Sequence, residues 1–147
     1  MTKDVLLSIK GLQFDGKENT DISTIQAAQY YFKNGKHYVF YDETVEGSKE
    51  VVRNVIKFDE QEVEVNKKGI FQVQLLFEKK KQNLSNYRTP YGLLVIGIDT
   101  QKIGLTEEER EIDLKIEYDL EVNYQHLAEC CIEIKICPEE DGKKLFQ

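Results

Sequence analysis

Several residue groups have types and spacings that could do chemistry. Gly11-Leu12-Gln13-Phe14-Asp15-Gly16-Lys17 matches a phosphate-binding P-loop up to its lysine. The next residue is Glu18, where Ser or Thr should hold magnesium, and Asn19-Thr20-Asp21-Ile22 opens no helix to cradle a phosphate. The segment reads as a loop after a strand. His126, Cys130 and Cys137 could suggest zinc. On a strand, however, His126 and Cys130 stand about 13 Å apart, whereas zinc ligands lie within about 2.0–2.3 Å of the ion. No metal site and no cofactor is expected. His37 reads as a strand histidine satisfied by its neighbours. None of Ser8, Ser23, Ser48 or Ser85 lies in a G-x-S-x-G elbow. Most carboxylates alternate with apolar residues, as on a solvated face. Lys79-Lys80-Lys81 reads as a solubilising strand end.

The most informative stretch is Asn86-Tyr87-Arg88-Thr89-Pro90-Tyr91-Gly92. Pro90 cannot donate to a ladder, so the strand must end, bulge or lie at an edge. Gly92 then permits a sharp corner. The structural alternative is such a corner alone. The functional one is a mouth lined by Tyr87, Thr89 and Tyr91, which offer aromatic faces and hydroxyls.

The elements that must position these groups are strands. Ile112, Leu114, Ile116, Tyr118, Leu120 and Val122 alternate with polar residues, which is one long strand with a dry and a wet face. Ala128, Cys130, Ile132, Ile134 and Ile136 repeat the pattern, a register that buries Cys130 and exposes Cys131. Asn34-Gly35 between Ile22–Lys33 and Lys36–Val45 is a strong hairpin signal, because a type I′ turn needs positive φ at both positions. A loop of those two residues sets Lys33 opposite Lys36, Tyr31 opposite Tyr38, Tyr30 opposite Val39 and Ala28 opposite Tyr41. Further strands are expected at Asp4–Gln13, Val51–Phe58, Val63–Asn66, Ile70–Lys79, Leu84–Thr89 and Leu93–Ile103. Thr106-Glu107-Glu108-Glu109 has the form of a capping box, for one helical turn at most.

The chain has 147 residues, 40% hydrophobic and 32% charged, which suits one globular domain. The expectation is an all-β fold over 1–147: a single antiparallel barrel of about eight to ten strands, because closure removes the edges of long amphipathic strands. Its core would cover about 3–137, with 138–147 a polar tail. A two-sheet sandwich is the alternative. The net charge of −7 argues against nucleic acid or anionic membrane as partner. No signal peptide or membrane-length apolar run is visible. Three cysteines near one end form no disulfide framework. A cytoplasmic protein, monomer or homodimer, is expected.

Three spaced features carry a family resemblance: the aromatic hairpin from Tyr30 with Tyr41-x-Glu43; Tyr87-x-Thr89-x-x-Gly92 followed by Thr100; and Ile116-x-Tyr118-x-Leu120. Over about residues 3 to 137 the chain resembles the YwiB-like family of uncharacterised bacterial proteins. The resemblance implies a calycin-type, lipocalin-like barrel. Family members tend to carry Arg before the glycine that opens a central strand; here Lys67 and Lys68 precede Gly69. Charge is kept and the planar fork is lost. The first functional reading is a barrel that binds a small, partly apolar ligand, with Tyr41, Glu43, Tyr87, Thr89 and Thr100 as its polar groups. The tyrosines would stack and Glu43 would orient a donor or cation. The second is an interaction module with a filled barrel. A third, an enzyme, would need Glu43, His37 and Tyr87 to converge; the sequence favours a non-catalytic role.

Overall fold

The computed structural model describes residues 3–11, 23–44, 47, 49–70 and 72–141. The P-loop-like match beyond Gly11 lies outside them. Ten strands follow in chain order: β1 (Asp4–Lys10), β2 (Ser23–Lys33), β3 (Lys36–Thr44), β4 (Val51–Phe58), β5 (Glu62–Lys68), β6 (Val73–Glu78), β7 (Gln82–Thr89), β8 (Gly92–Glu108), β9 (Glu111–Val122) and β10 (Gln125–Pro138). They form one antiparallel sheet in the order β6-β5-β4-β3-β2-β1-β10-β9-β8-β7, with β1 paired to β10. The result is an up-and-down, nearly closed barrel, as the alternation implies. No helix among the described residues is long and apolar enough to cross a membrane.

The Asn34-Gly35 turn has φ of 54° and 77°, the positive pair a type I′ turn requires. Its register sets Lys33 against Lys36, Tyr31 against Tyr38 and Tyr30 against Val39. The recorded pairing ends at Gln29 with Phe40, one step short of the expected Ala28–Tyr41 pair. β9 and β10 pair almost throughout, with an irregularity between His126 and Ala128. Two expectations need correction. The capping-box segment is not helical: Thr106–Glu108 finish β8, and Glu109-Arg110 turn into β9. The local cap signal loses because Leu105 and Thr106 pair with Leu114 and Asp113 in a long ladder. Cys131 is half-buried rather than exposed, like Cys130, while Cys137 is buried.

Alternate residues of every strand point inward. Phe58, Phe77, Ile56, Ile98, Ile116 and Ile134 are among the fully buried side chains. Each contributes about 1.5–3 kcal/mol by leaving water. One end of the barrel is stoppered by a polar cluster. His37, 4% exposed, hydrogen-bonds the Tyr30 hydroxyl through Nδ1 (2.6 Å) and contacts Glu107 Oε1 through Nε2. Its ring stacks on Phe58, with centroids 4.8 Å apart. The strand histidine is satisfied by three neighbours.

Burial pushes the phenols of Tyr30, Tyr41 and Tyr118 above the ordinary tyrosine range. Above a pH of about 10 an unfolded chain sheds these protons while the folded chain keeps them. Stability from this source is complete below that pH and is lost as pH climbs further. Phenolate absorbance should therefore show at least three of the eight tyrosines titrating together with the loss of β-sheet circular dichroism. Smooth titration of all eight before unfolding would contradict this burial.

Candidate functional site

Sheet pairing is continuous around the barrel except between β6 and β7. There the described backbone makes one reciprocal link, Gln72 N to Arg88 O at 2.9 Å and Arg88 N to Gln72 O at 2.8 Å. At the other end the turn closes through Lys81 N to Glu78 O, 3.1 Å. Between these two staples the strands form no ladder. A groove of about 440 Å³ occupies the gap. Its lining includes Lys67, Val73 and Ser85 from inward-facing positions, and Lys68, Gln74, Leu84 and Arg88 from outward-facing ones. Its lining thus draws on both phases of the strands. A second depression, of about 730 Å³, lies over Tyr118 and Cys130 on the continuously paired β8-β9-β10 face. It does not lead between strands.

The inner side of the gap is built by register. Tyr41 pairs with Asn54, Asn54 with Lys67, and Lys67 with Val73. One step beyond the Gln72–Arg88 bridge the same register brings Val73 beside Tyr87. These residues form one inward row around the barrel. Lys67, only 9% exposed, donates through Nζ to Glu43 Oε1 (2.6 Å) and to Asn54 Oδ1 (2.8 Å). Asn54 Nδ2 donates in turn to Val52 O at 3.2 Å. The buried ammonium is thus paired and hydrogen-bonded, the condition for keeping a charge inside. Burial first, and the Glu43 charge second, raise the Tyr41 phenol. It stays a neutral donor at neutral pH. Gly69, which ends the β5 segment, has φ of +149°, and a Cβ there would lie 2.8 Å from Val51 O. Only glycine lets the chain turn this closely against β4.

Of the five residues singled out in the sequence, Tyr41, Glu43 and Tyr87 gather at this end. Thr89 is engaged in the corner itself: its Oγ1 donates to Gly92 O (2.9 Å) and accepts from Tyr91 N (3.1 Å). Tyr91 is 98% exposed and lines no mouth. Thr100 is fully buried, with no hydrogen-bond partner recorded for its hydroxyl among the described residues. Its backbone N meets Lys81 O at 3.2 Å, so it stands about 20 Å along the strand direction from Tyr87. Nor do Glu43, His37 and Tyr87 converge. Glu43 and His37 occupy opposite ends of β3, about 20 Å apart. His126 is exposed, 3.8 Å from Asp119, and no group of three His, Cys, Asp or Glu among the described residues could hold a metal ion.

Asn54 was not picked out in the sequence, and Lys67 was noted only for its charge before Gly69, yet the signal for their burial was present. Val63-x-Val65-x-Lys67 and Val52-x-Asn54-x-Ile56 each put one polar residue on the apolar phase of a strand. Such a residue is buried and must be paired. Lys67→Ala is expected to destabilise the protein by about 1–3 kcal/mol in urea unfolding, because Glu43 and Asn54 lose their partner. Lys68→Ala, its exposed neighbour, should stay within about 0.5 kcal/mol. Equal losses would contradict the inward placement of Lys67.

The model of a domain of unknown function, DUF1934, matches residues 7–134. No curated protein matches the chain. Among solved structures, the crystal structure of the YwiB protein from Bacillus subtilis is similar at a TM-score of 0.77, with 23% identity over 92% of each chain. That likeness establishes the shared barrel fold.

Proposed function

The chain belongs to the DUF1934 family, and on that footing we propose that it is a cytoplasmic barrel that binds a small, partly apolar ligand through the gap between β6 and β7. The observation that carries this reading is the groove of about 440 Å³ beside the one junction of the barrel that has no ladder. Its size lies within the range of small-molecule sites, and its mostly polar lining includes apolar surface at three positions. Val73 and Leu84 supply apolar surface; Ser85, Gln74 and Asn86 supply hydrogen bonds. Glu43 holds the Lys67 ammonium that lines the groove, and Tyr41 and Tyr87 share the inward row of Lys67. Thr89 keeps the β7–β8 corner in shape, and Thr100 belongs to the wall elsewhere. No catalytic role is assigned.

The second reading, an interaction module, has its own observation. Tyr91, Leu93, Tyr124 and Leu127 are exposed on the β7–β8 and β9–β10 hairpins. These turns adjoin, since Asn123 N donates to Val95 O at 2.8 Å. Neighbouring exposed apolar side chains mark contact surfaces. Native mass spectrometry of gently purified protein, set against its denatured mass, separates the two. Under the ligand reading the native ion carries extra mass of a small organic molecule that denaturation removes. A bare monomer together with a dimer peak, abolished by Tyr91→Ser with Tyr124→Ser, would favour the interaction module instead.

A further inference from the structure

The outer rim of the groove has a charge pattern that the binding reading alone does not require. Arg53 pairs with Lys68 across β4 and β5, and Gln72 bridges Arg88 across the gap. The β5–β6 register, extended one step past Lys67–Val73, puts Lys68 beside Gln72. Arg53, Lys68, Gln72 and Arg88 thus make one outward row, all exposed, spanning about 14 Å at one strand spacing per step. Like charges directly opposite one another weaken a strand pair, and Arg53 faces Lys68. Among the described residues none of these three cations has an ion-pair partner. Lys36, Lys67, Lys81, Lys102 and Lys115 each meet a carboxylate elsewhere. In a chain of net charge −7, three cations in one exposed row make a local positive patch.

The carboxylates near this row are few. Asp42 lies opposite Arg53 at its far end. Glu64 lies four residues from Lys68, about 13 Å along β5. Its Oε1 already accepts from Asn66 Nδ2 (3.0 Å) and Gln74 Nε2 (2.7 Å). Along the strands the groove runs from Lys68, Gln72 and Arg88, past the amides of Asn66, Gln74 and Asn86, to Leu84, with Val73 and Leu93 supplying apolar surface beside the cationic end.

We infer that the ligand is a small organic oxyanion, a carboxylate or phosphate ester on an apolar body, whose charged group sits between Lys68 and Arg88. The inference rests on reading the gap as the binding site. The Arg88 guanidinium offers a planar fork and Lys68 a point charge, so both oxyanions fit. Gln72 adds an amide donor between them. Arg53 extends the positive field without lining the groove.

Isothermal titration with octanoate, octyl phosphate, octanol and octylammonium tests this on the full chain. The two anions should bind more tightly than octanol, and octylammonium most weakly. Whichever anion leads identifies the headgroup. Octanoate affinity should fall as salt is raised. Arg88→Gln with Lys68→Gln should weaken the anions about tenfold, equal to about 1.4 kcal/mol, and leave octanol unchanged. Lys81→Gln, an exposed cation outside the groove, should change nothing. Octanol binding as tightly as octanoate, with no effect of the double variant, would overturn the anion while leaving the binding site standing. Failure of all four compounds to bind would overturn both.

Discussion

A β-strand cannot leave its backbone donors and acceptors in a dry environment without a partner, and this governs how the barrel is arranged. Nine of the ten junctions around the barrel satisfy it with ladders. The β6–β7 junction does so only at Gln72 and Arg88. The strand edges there need polar company, and they have it. Asn66, Gln74, Ser85 and Asn86 border the gap, and Lys67 stands just inside with both Glu43 and Asn54 as partners. The opening, the amides around it and the buried ammonium behind it are consequences of one unmet pairing. At the opposite end the ladders continue, and the stopper is the His37, Tyr30 and Glu107 cluster packed on Phe58.

Much of this architecture was legible in the sequence, because an inward-outward alternation leaves little freedom. The Ile112–Val122 pattern gives β9 directly, and Asn34-Gly35 pins the β2–β3 register. Val51–Phe58 coincides with β4 at both ends. Strand ends were less legible. β8 runs on to Glu108, past the expected Ile103, because β9 is long enough to hold it. The bulge at Gln101, between Thr100 and Lys102, resets which residues face inward. After it, Ile103 and Leu105 point in and Glu107 reaches His37. No local propensity announces that shift; it follows from how two strands of unequal length close against one another.

The candidate site was legible only in fragments. Tyr41, Glu43 and Tyr87 lie at the same end of the barrel as the groove without lining it, and their common location depends on a seam that no motif marks. β7 departs from the usual alternation, with Asn83 and Ser85 on its inward phase and Leu84 exposed, but which junction of the barrel lacks a ladder is settled only by the assembled sheet. The Lys67-Lys68-Gly69 step has a clearer logic once the structure is known. Gly69 lets β5 leave its ladder tightly against Val51 and Val52. Successive residues of a strand then send Lys67 inward and Lys68 outward, one on each side of the wall. A single arginine there could occupy only one of these positions. The two lysines serve both.

The pairing of β1 with β10 bears on the order in which the molecule comes together. Every other ladder joins strands consecutive in the chain, so each closes a far smaller loop. The contacts of Val5 with Pro138 and Lys10 with Glu133 instead close a loop spanning almost the whole chain, at a higher entropic cost. Loop-closure entropy thus favours local hairpins such as β2–β3 and β9–β10 over joining the first strand to the last. The same pairing sets the response to force. Val5 and Pro138 lie side by side on antiparallel strands, so tension applied at those two residues peels the ladder one rung at a time rather than shearing all its rungs together. Under load the barrel is a zip fastened at its own ends.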